Sequence, residues 1–320
     1  MALGLPRRLM DRWFGPRIDA DLAEIIAASI DQVEPRLRQI GGYPRRYAPS
    51  IAHAWAYCRD LAAQVPGPVT VDRQAFAQDP LVHALFSSPD GIVQALIQSK
   101  AVREWHQDAG KAQGVFALMG VRRWEKDVFG VEERGGVLRR DVAQKAVFFS
   151  DHTFSNLGGD LADTRALLAR QFMSSLLARV NDRLEEIRQT RQRLERERDE
   201  LRAQLRAKPD NVECQDALQQ TLAALAEAVA ALDLRSYAEH FDAVLSQPEP
   251  FLHLRPVSLP LDAMGIHQQA TGDGQAQPLD MSEMACRDRR RWIVMLVHCQ
   301  LDELPDYQER LASAEHWLAI

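Results

Sequence analysis

The stretch NDRLEEIRQTRQRLERERDELRAQLRAKPDN, residues 181–211, decides the fold of this chain. It is dense in arginine and glutamate, lacks aromatic residues, and ends in the helix breaker at residues 208–211. Apolar or arginine side chains recur in alternating steps of three and four residues, at Leu177, Val180, Leu184, Ile187, Arg191, Leu194, Arg198, Leu201 and Leu205. This heptad spacing predicts one arm of a coiled coil.

A second heptad seam follows the breaker, at Leu218, Leu222, Leu225, Val229 and Leu232. If the chain folds back around residues 209 and 210, the two seams meet in a single register. The predicted pairs are Leu205 with Cys214, Leu201 with Leu218, Leu194 with Leu225, Arg191 with Val229, and Ile187 with Leu232. The pattern therefore predicts an antiparallel coiled-coil hairpin over residues 159–246.

Charge along the two arms favours the same pairing. Residues 163–208 carry twelve basic and eight acidic side chains, whereas residues 211–246 carry one basic and six acidic. A net positive arm beside a net negative arm favours pairing of each arm with the other, and we expect the arginines of the first arm to be balanced by the second. The alternative is a parallel coiled coil between two chains, which would predict similar arms and no breaker.

The N-terminal region, residues 1–112, has the apolar spacing of short and medium helices. We expect Asp19 or Asp21 to cap the first helix and Ser50 to cap the next. Asp90, in the sequence SSPDG, is placed to accept N–H bonds in the first turn of a later helix. This region is predicted to be a helical domain.

The period changes after Val115, where two alternating segments flank Arg134-Gly135-Gly136 and predict a β-hairpin. The alternation is imperfect at residues 125–127, so we expect a bulge or a break in the strand there. Two further strands are predicted, in FLHLRPVSLPLDAMGI (251–266) and WIVMLVHCQLDEL (292–304).

The positions of those two strands in the sheet follow from their composition. Pro256 and Pro260 favour an edge position for the first strand, while the apolar run of the second is typical of a central strand. HQQATGDGQAQP, residues 267–278, is predicted to be a loop.

The predicted fold class is therefore α+β and mostly α. A helical domain at 1–112 precedes a small antiparallel β-sheet domain formed by 113–158 and 247–320. The coiled-coil hairpin at 159–246 interrupts that sheet domain.

Composition narrows the functional classes. The chain is 46% hydrophobic and 26% charged, which is ordinary for a globular protein with a core. No run of 18 apolar residues occurs, and the N-terminal LGLPRRLMDRWF lacks the apolar stretch of a secretory signal, so we expect a cytoplasmic protein without a transmembrane segment. A net charge of −6 disfavours bulk attraction to nucleic acid.

Residues with catalytic potential do not form a recognisable site. Ser150, Asp151 and His152 are consecutive, and strand neighbours point to opposite faces, so they do not predict a catalytic triad. The glycine turn SNLGGDLADT, residues 155–164, is more simply a turn and a helix cap than an anion site. The three strand histidines, at positions 152, 253 and 298, and the four scattered cysteines lack metal-ligand spacing. We therefore predict no catalytic residue, cofactor or metal, and expect that the protein is not an enzyme.

Arginine beside tryptophan is the more suggestive pattern. If the strands neighbour each other, one patch would combine Arg122, Arg123, Trp124, Arg139, Arg140, Arg287, Arg289, Arg290, Arg291 and Trp292. Such a surface suits RNA, single-stranded DNA or an acidic partner. The alternative is that these arginines pair with the acids beside them, at Glu125, Asp127, Glu132, Glu133 and Asp141.

The function predicted from these patterns is a non-enzymatic protein-interaction module: an adaptor, assembly factor or subunit of a larger cytoplasmic complex. Its contact site is expected at the end of the hairpin, at Lys208, Pro209, Asp210 and Asn211. The alternative is a nucleic-acid or nucleoprotein-binding regulator that uses the arginine and tryptophan patch. The sequence leaves homodimerisation open.

Overall fold

The computed structural model describes residues 18–108, 114–134, 137–261, 265–267, 277–285 and 291–301. The described chain forms two compact units. The first unit contains the residues up to Cys58 together with Arg170–Leu252, and the second contains Arg59–Ala169 together with the described residues from His253 onward. No helix in these ranges combines the length and the apolar character needed to cross a membrane.

The helices in chain order are α1 (Ala20–Val33), α2 (Ala48–Gln64), α3 (Arg73–Gln78), α4 (Pro80–Leu85), α5 (Pro89–Gln98), α6 (Lys100–Asp108), α7 (Leu161–Ala207), α8 (Val212–Ala230) and α9 (Leu234–Ser246). A 3-10 helix at Pro35–Gln39 follows α1. The strands are β1 (Val69–Val71), β2 (Gly114–Arg134), β3 (Val137–Gly158), β4 (His253–Leu261), β5 (Gln277–Ala285) and β6 (Arg291–Gln300). The α+β class with N-terminal helices is confirmed.

In the first unit, α7 packs with α8, and the chain reverses between them at residues 208–211. Leu194 of α7 packs with Leu225 and Ala228 of α8. Further along α7, the Cys214 thiol lies 3.6 Å from the Leu201 carbonyl oxygen. Residue numbers in contact increase along α7 while they decrease along α8, so the two helices are antiparallel. The predicted contact of Leu194 with Leu225 is confirmed.

The second seam is only partly as predicted. Leu222 and Val229 are 39% and 49% exposed, while Thr221 and Ala228 are buried beside α7. Leu225 stays in the seam, so α8 is rotated from the predicted packing by about 50°, half of the 100° that separates consecutive residues on a helix. Thr221 and Ala228 therefore take the places in the seam that the sequence pattern assigned to Leu222 and Val229.

The charges of α7 are also balanced differently from the prediction. Its ion-paired arginines pair with acids of α7 itself: Arg179 with Asp182, Arg183 with Glu186, Arg188 with Glu185, Arg191 with Glu195, and Arg198 with Asp199. Four of these pairs join residues three or four apart, which are neighbours on a helix, and Arg198 is adjacent to Asp199, so all five form without help from α8. The prediction that the second arm neutralises these arginines is therefore wrong.

The helix α9 packs on the N-terminal helices of the same unit. Phe241 meets the ring of Tyr47 edge-on at 5.6 Å, and Ser50 donates a hydrogen bond of 2.7 Å to Asp242. Tyr237, beside them on α9, accepts a hydrogen bond of 2.9 Å from Arg188 of α7. The side predicted as one arm after residue 211 is therefore two helices with different partners.

Two helix caps differ from the predictions, while Asp19 caps α1 as expected. The helix α2 begins at Ala48, so Ser50 lies inside its first turn rather than at its cap. Ser88, and not Asp90, accepts the N–H bond that caps α5. Asp90 instead pairs with Arg73 at 2.8 Å.

The second unit contains a curled, antiparallel half-barrel sheet in the order β3-β2-β6-β5-β4, with β1 parallel to β6. The proline-containing β4 is at an edge and the apolar β6 is central, as predicted. Residues 265–267 bridge to both edge strands, through Leu261 of β4 and Ala146 of β3.

The core of this unit lies between one face of the sheet and the short helices. Alternate residues of β2 and β6 enter it, and helices α3, α4, α5 and α6 supply the opposing side chains. Many of these residues are completely buried, among them Val121, Val297 and Cys299. Burial of this kind contributes about 25 cal/mol for each Å² of apolar surface removed from water.

The predicted β2–β3 hairpin is confirmed, with Arg134 opposite Val137 and the glycine pair between them outside the described residues. The bulges are not at residues 125–127. They lie in β3, where Asp141, Asp151 and Asn156 have positive φ angles at three shifts of register. Aspartate and asparagine tolerate this conformation better than most residues, and each bulge bends the strand.

The strand β5 was missed, because its sequence follows a polar loop and includes Asp280 and Glu283. Glu283 is nevertheless buried and lies 3.8 Å from Arg123, so β5 carries a buried charged residue. Compact units do not decide which segments fold independently, so the domain boundaries at 112, 158 and 246 stay a prediction.

Candidate functional site

The turn between α7 and α8, residues 208–211, is held by its own hydrogen bonds. The Asn211 side chain accepts from the Cys214 N–H at 3.2 Å and caps α8. The Gln215 side chain donates to the Pro209 carbonyl at 2.7 Å. All four turn residues are exposed. The turn is thus an ordered surface, with Asn211 serving structure and the Lys208 and Asp210 side chains facing solvent. We call residues 208–211 the tip.

The outward side of α8 carries unusually little charge. The exposed positions from 219 onward are Gln219, Gln220, Leu222, Ala223, Ala226, Glu227, Val229 and Ala230, so Glu227 is the one charged side chain among them. Leu222 and Val229 rank among the exposed large hydrophobic residues. We call Leu222, Ala226 and Val229 the outer row. Exposed apolar rows of this kind are typical of protein contact surfaces.

One face of the β2–β3 hairpin carries an arginine–aromatic cluster. The Arg122 guanidinium lies over the Trp124 ring at 4.4 Å, and the two rings of Trp124 and Phe148 are nearly parallel with centroids 6.4 Å apart. The Trp124 indole N–H donates to Ser150 at 2.8 Å. Trp292 of β6 is in register with Arg122. These four residues, Arg122, Trp124, Phe148 and Trp292, are called the ribbon face.

The remaining patch residues are distributed differently from the prediction. Arg123 points to the opposite face, is 14% exposed, and lies 3.5 Å from Glu125 and 3.8 Å from Glu283. The residues across the hairpin from Arg122 and Arg123 are Ser150 and Phe149, so Arg139 and Arg140 do not lie beside them and the prediction of one patch that includes all four arginines is wrong.

Arg139 lies opposite Glu132 in the strand register, and Glu132 is ten residues further along β2 than Arg122. At about 3.3 Å a residue, that is roughly 30 Å away. Arg287, Arg289 and Arg290 lie outside the described residues, and of Arg291 only the backbone position at the start of β6 is described. The described part of the patch therefore comprises Arg122 with its aromatic neighbours, and Arg122 itself pairs with Asp151 at 3.0 Å.

Ser150, Asp151 and His152 each have a different partner. Ser150 accepts from Trp124 and Asp151 pairs with Arg122, whereas His152 contacts the Leu85 carbonyl at 2.8 Å and stacks on Phe86 at 4.4 Å. Burial lowers the pKa of His152. The three side chains do not converge, in agreement with the strand geometry expected from sequence.

The glycine turn before α7 is a cap. Asp160 accepts from the Asp163 N–H at 2.8 Å, and the Thr164 hydroxyl donates to the Asp160 carbonyl at 2.9 Å. A Cβ on Gly158 would lie 2.6 Å from that hydroxyl oxygen, which explains the need for glycine. The predicted turn and cap are confirmed.

Histidine and cysteine side chains are dispersed. His298 stacks on Phe116 at 4.5 Å, and His253 pairs with Ala285 at the sheet edge. Within the described residues, no group of three metal-ligating side chains comes together. Cys58 and Cys299 are buried free thiols, and burial raises the pKa of each to about 12. A thiol with so high a pKa is a poor nucleophile.

Two concavities, of about 370 and 480 Å³, lie along α7 in the first unit. Both are lined by Arg183 and Glu186, which pair with each other at 3.1 Å. The first concavity is further lined by Arg179, Asp182 and His240 beside Val244 and Phe251, and the second by Arg193 and Glu227 beside Leu194 and three alanines.

Sequence reasoning missed the outer row because it placed Leu222 and Val229 in the seam with α7. Two apolar rows on one helix were already visible, since Leu218 and Leu225 form one row and Leu222 and Val229 the next. Phe148 was missed because it sits in an ordinary alternating strand, and only the hairpin register places it beside Trp124. No protein-family model, curated protein or solved structure matches the chain.

Proposed function

We propose that the protein is a non-enzymatic interaction module, an adaptor or subunit of a larger complex, that binds a protein partner through the antiparallel coiled-coil hairpin of α7 and α8. The observation that carries the proposal is the ordered, exposed tip. Its backbone is fixed by the Asn211 cap and by the Gln215 bond to Pro209. A surface that is already ordered loses little conformational entropy on binding.

The composition of α8 supports the same function. Its outward side combines alanine, leucine, valine and glutamine with Glu227, whereas the exposed side of α7 is dense in paired charges. Solvated helices usually carry charges on their outer face. A helix face on which Glu227 is the one charged side chain among the exposed positions from 219 to 230 is suited to contact with another protein.

The test is affinity capture of the tagged chain from native lysate, with and without nuclease, with the bound proteins identified by mass spectrometry. The tip variant is Lys208→Ala with Asp210→Ala, since neither side chain takes part in the bonds that hold the turn. A matched control, Glu239→Ala on α9, removes an exposed charge elsewhere in the same unit. We expect the tip variant to lose a nuclease-resistant partner that the control retains.

Pro209→Gly together with Asp210→Ala is a second variant, which loosens the turn without touching the seam. We expect it to weaken capture while leaving the helical content of the chain unchanged. Capture that survives deletion of the whole hairpin would show that the contact site is elsewhere and would refute the proposal.

The second candidate function is binding of single-stranded nucleic acid by the ribbon face. The observation that favours it is the Arg122 guanidinium stacked on Trp124, beside Phe148, since cation and aromatic faces together form stacking platforms for bases. The ion pair of Arg122 with Asp151 reduces the positive charge available for phosphates.

The nucleic-acid function predicts affinity that falls steeply with salt, measured by fluorescence anisotropy with a labelled single-stranded oligonucleotide. Trp124→Ala should weaken binding through lost stacking, and changing Arg289, Arg290 and Arg291 together to alanine should reduce the salt slope. Binding that is undetectable, or insensitive to salt, would exclude this function.

A further inference from the structure

The two helix ends that meet at the tip carry charges of opposite sign. Residues 201–208 contain three basic side chains and no acidic one, whereas residues 209–216 contain three acidic side chains and no basic one. The basic residues are Arg202, Arg206 and Lys208, and the acidic residues are Asp210, Glu213 and Asp216. All six are exposed. We call the first three the basic flank and the last three the acidic flank.

The charges of both flanks are not neutralised within the hairpin. In the part of the chain that the structure describes, the ion pairs along α7 end with Arg198 and Asp199, and no residue of either flank joins an ion pair. The Arg206 Nε donates at 3.3 Å to a carbonyl oxygen of its own helix, that of Arg202. Earlier in α7, by contrast, arginines and acids three or four residues apart pair with one another. The flanks therefore present charges that a partner can pair with.

Two exposed apolar residues lie in the turn between the flanks. Val212 is the first residue of α8 and is 65% exposed, and Pro209 is exposed as well. The helix dipole favours cations at the end of α7 and acids at the start of α8, but it does not account for the exposed valine among them. An apolar centre surrounded by charged residues is the composition of a protein contact surface.

The mixture of signs also distinguishes between classes of partner. A nucleic acid carries phosphates along its whole length, so phosphates drawn to the basic flank would meet the carboxylates of the acidic flank across the turn. A protein surface presents both signs side by side, so that each flank can meet its opposite. The tip with its two flanks therefore suits a protein and disfavours a polyanion.

We propose that the partner bound by the tip is a protein with a dipolar contact surface, in which acidic side chains face the basic flank, basic side chains face the acidic flank, and an apolar recess receives Val212. This inference rests on the proposed function, since it names the chemistry of the partner that the tip binds. The order of the signs also fixes the direction in which the hairpin docks, because the reverse direction would set like charges against each other.

The test uses as its probe the protein that mass spectrometry identifies in the nuclease-treated capture, purified and titrated against the full chain by biolayer interferometry. Arg206→Gln with Lys208→Gln removes two charges from the basic flank, and Glu213→Gln with Asp216→Asn removes two from the acidic flank. We expect each double variant to raise the dissociation constant by roughly 3- to 30-fold, since each exposed ion pair contributes modestly.

Two further variants control for the change in net charge. Arg193→Gln with Arg196→Gln removes two exposed arginines earlier in α7, and Glu24→Gln with Glu239→Gln removes two exposed acids of α1 and α9. Both should bind the partner as the unaltered chain does. Circular dichroism should give the same helical content for all of these variants, which separates a lost contact from lost folding.

The apolar centre is tested by Val212→Ser. Burial of the valine against the partner removes apolar surface from water, so its loss should raise the dissociation constant by about 10-fold. Val212→Ile keeps the side chain apolar and should retain most of the affinity. An unchanged dissociation constant in Val212→Ser would overturn the apolar recess.

The possible outcomes separate this inference from the proposed function. If no nuclease-resistant partner is captured, or if capture survives deletion of the hairpin, the proposed function fails and this inference fails with it. If capture requires the hairpin but one of the flank variants binds like its control, the partner is not dipolar and the inference alone is overturned. Tighter binding by the acidic-flank variant would overturn it too, because it would indicate a polyanion.

Self-association is measured separately, because a second copy of the chain also carries both signs at its tip. In sedimentation equilibrium of the chain alone, both flank variants should behave as the unaltered chain does. A dimer that both flank variants dissociate would assign the tip to a second copy and would overturn the proposal.

Discussion

The hairpin of α7 with α8 and the half-barrel sheet are stabilised in different ways. The hairpin seam has a regular pattern but a thin core, in which Leu194, Leu225 and Ala228 are each 8–9% exposed. The half-barrel has an irregular pattern but a thick core, in which residues such as Val297 are completely buried and four helices supply neighbours. A clear sequence pattern therefore marks the region with less buried surface.

This difference has a physical basis. Two helices alone can bury one stripe on each, so most of their side chains remain in water. A sheet covered by helices on one face surrounds each inward side chain with neighbours from several elements. We therefore expect the half-barrel to set global stability and the hairpin to open locally.

The largest expected effect is loss of a core side chain from the half-barrel. Met295 lies in the central strand β6 and is 1% exposed. Met295→Ala should reduce the free energy of unfolding by about 3 kcal/mol, the sum of lost transfer energy and a residual cavity. Urea denaturation measures this. Phe129→Ala, at a residue 80% exposed, is the control and should change little; equal losses in the two variants would contradict the comparison.

A smaller loss is expected for the same kind of change in the hairpin. Leu225→Ala removes a seam side chain with few neighbours, and we expect a cost of about 1–2 kcal/mol because water and nearby side chains can fill the space. Hydrogen exchange should show faster exchange in α8 while the amides of β6 keep their protection. Loss of protection in both regions would mean that the hairpin and the half-barrel unfold as one.

The helix cap at the tip is expected to contribute less again. Asn211→Ala removes the acceptor for the Cys214 N–H and should cost about 1 kcal/mol. Asp210→Ala, one residue earlier and without that role, serves as the matched control. Thermal melts followed by circular dichroism compare the two variants. A similar loss in both would show that the cap does not stabilise α8.

The smallest effect is a pH dependence that belongs to the half-barrel alone. Burial lowers the pKa of His152 in the folded chain, so the unfolded chain binds a proton first as pH falls. Stability should therefore decline below the ordinary histidine pKa of about 6.5, until the lowered pKa of the folded state is passed. His152→Gln keeps a donor toward Leu85 without titrating. In this variant, the urea midpoints measured above and below pH 6.5 should be nearly equal. If the midpoint of the variant depends on pH as strongly as that of the unaltered chain, His152 is not the cause.

The sequence predicted several elements because their signals are local. The heptad steps of α7, the breaker at 208–211 and the prolines of β4 depend on residues close together in the chain. The contact of Leu194 with Leu225 followed from one register, and the position of β6 from its apolar run. The tip is a local feature too, and its place between two helices was predicted correctly.

Other features depended on partners distant in sequence. The charge of Glu283 made β5 hard to predict as a strand, because the partner of this carboxylate, Arg123, is 160 positions away in the chain. The ribbon face required the register that sets Phe148 opposite Trp124. The bulges at Asp141, Asp151 and Asn156 reflect strand curvature, which neighbouring strands impose and alternation alone does not encode.

The sequence by itself determined the class of the fold, the two arms that reverse at residues 208–211, and the central and edge positions of β6 and β4. These follow from periodicity, breakers and proline, which act over a few residues. Only the tertiary structure decided which side of α8 faces α7 and which acid pairs with each arginine. Helix rotation and ion pairing are settled by tertiary packing, which buries Thr221 and Ala228 and leaves exposed the leucine and valine that the pattern favoured.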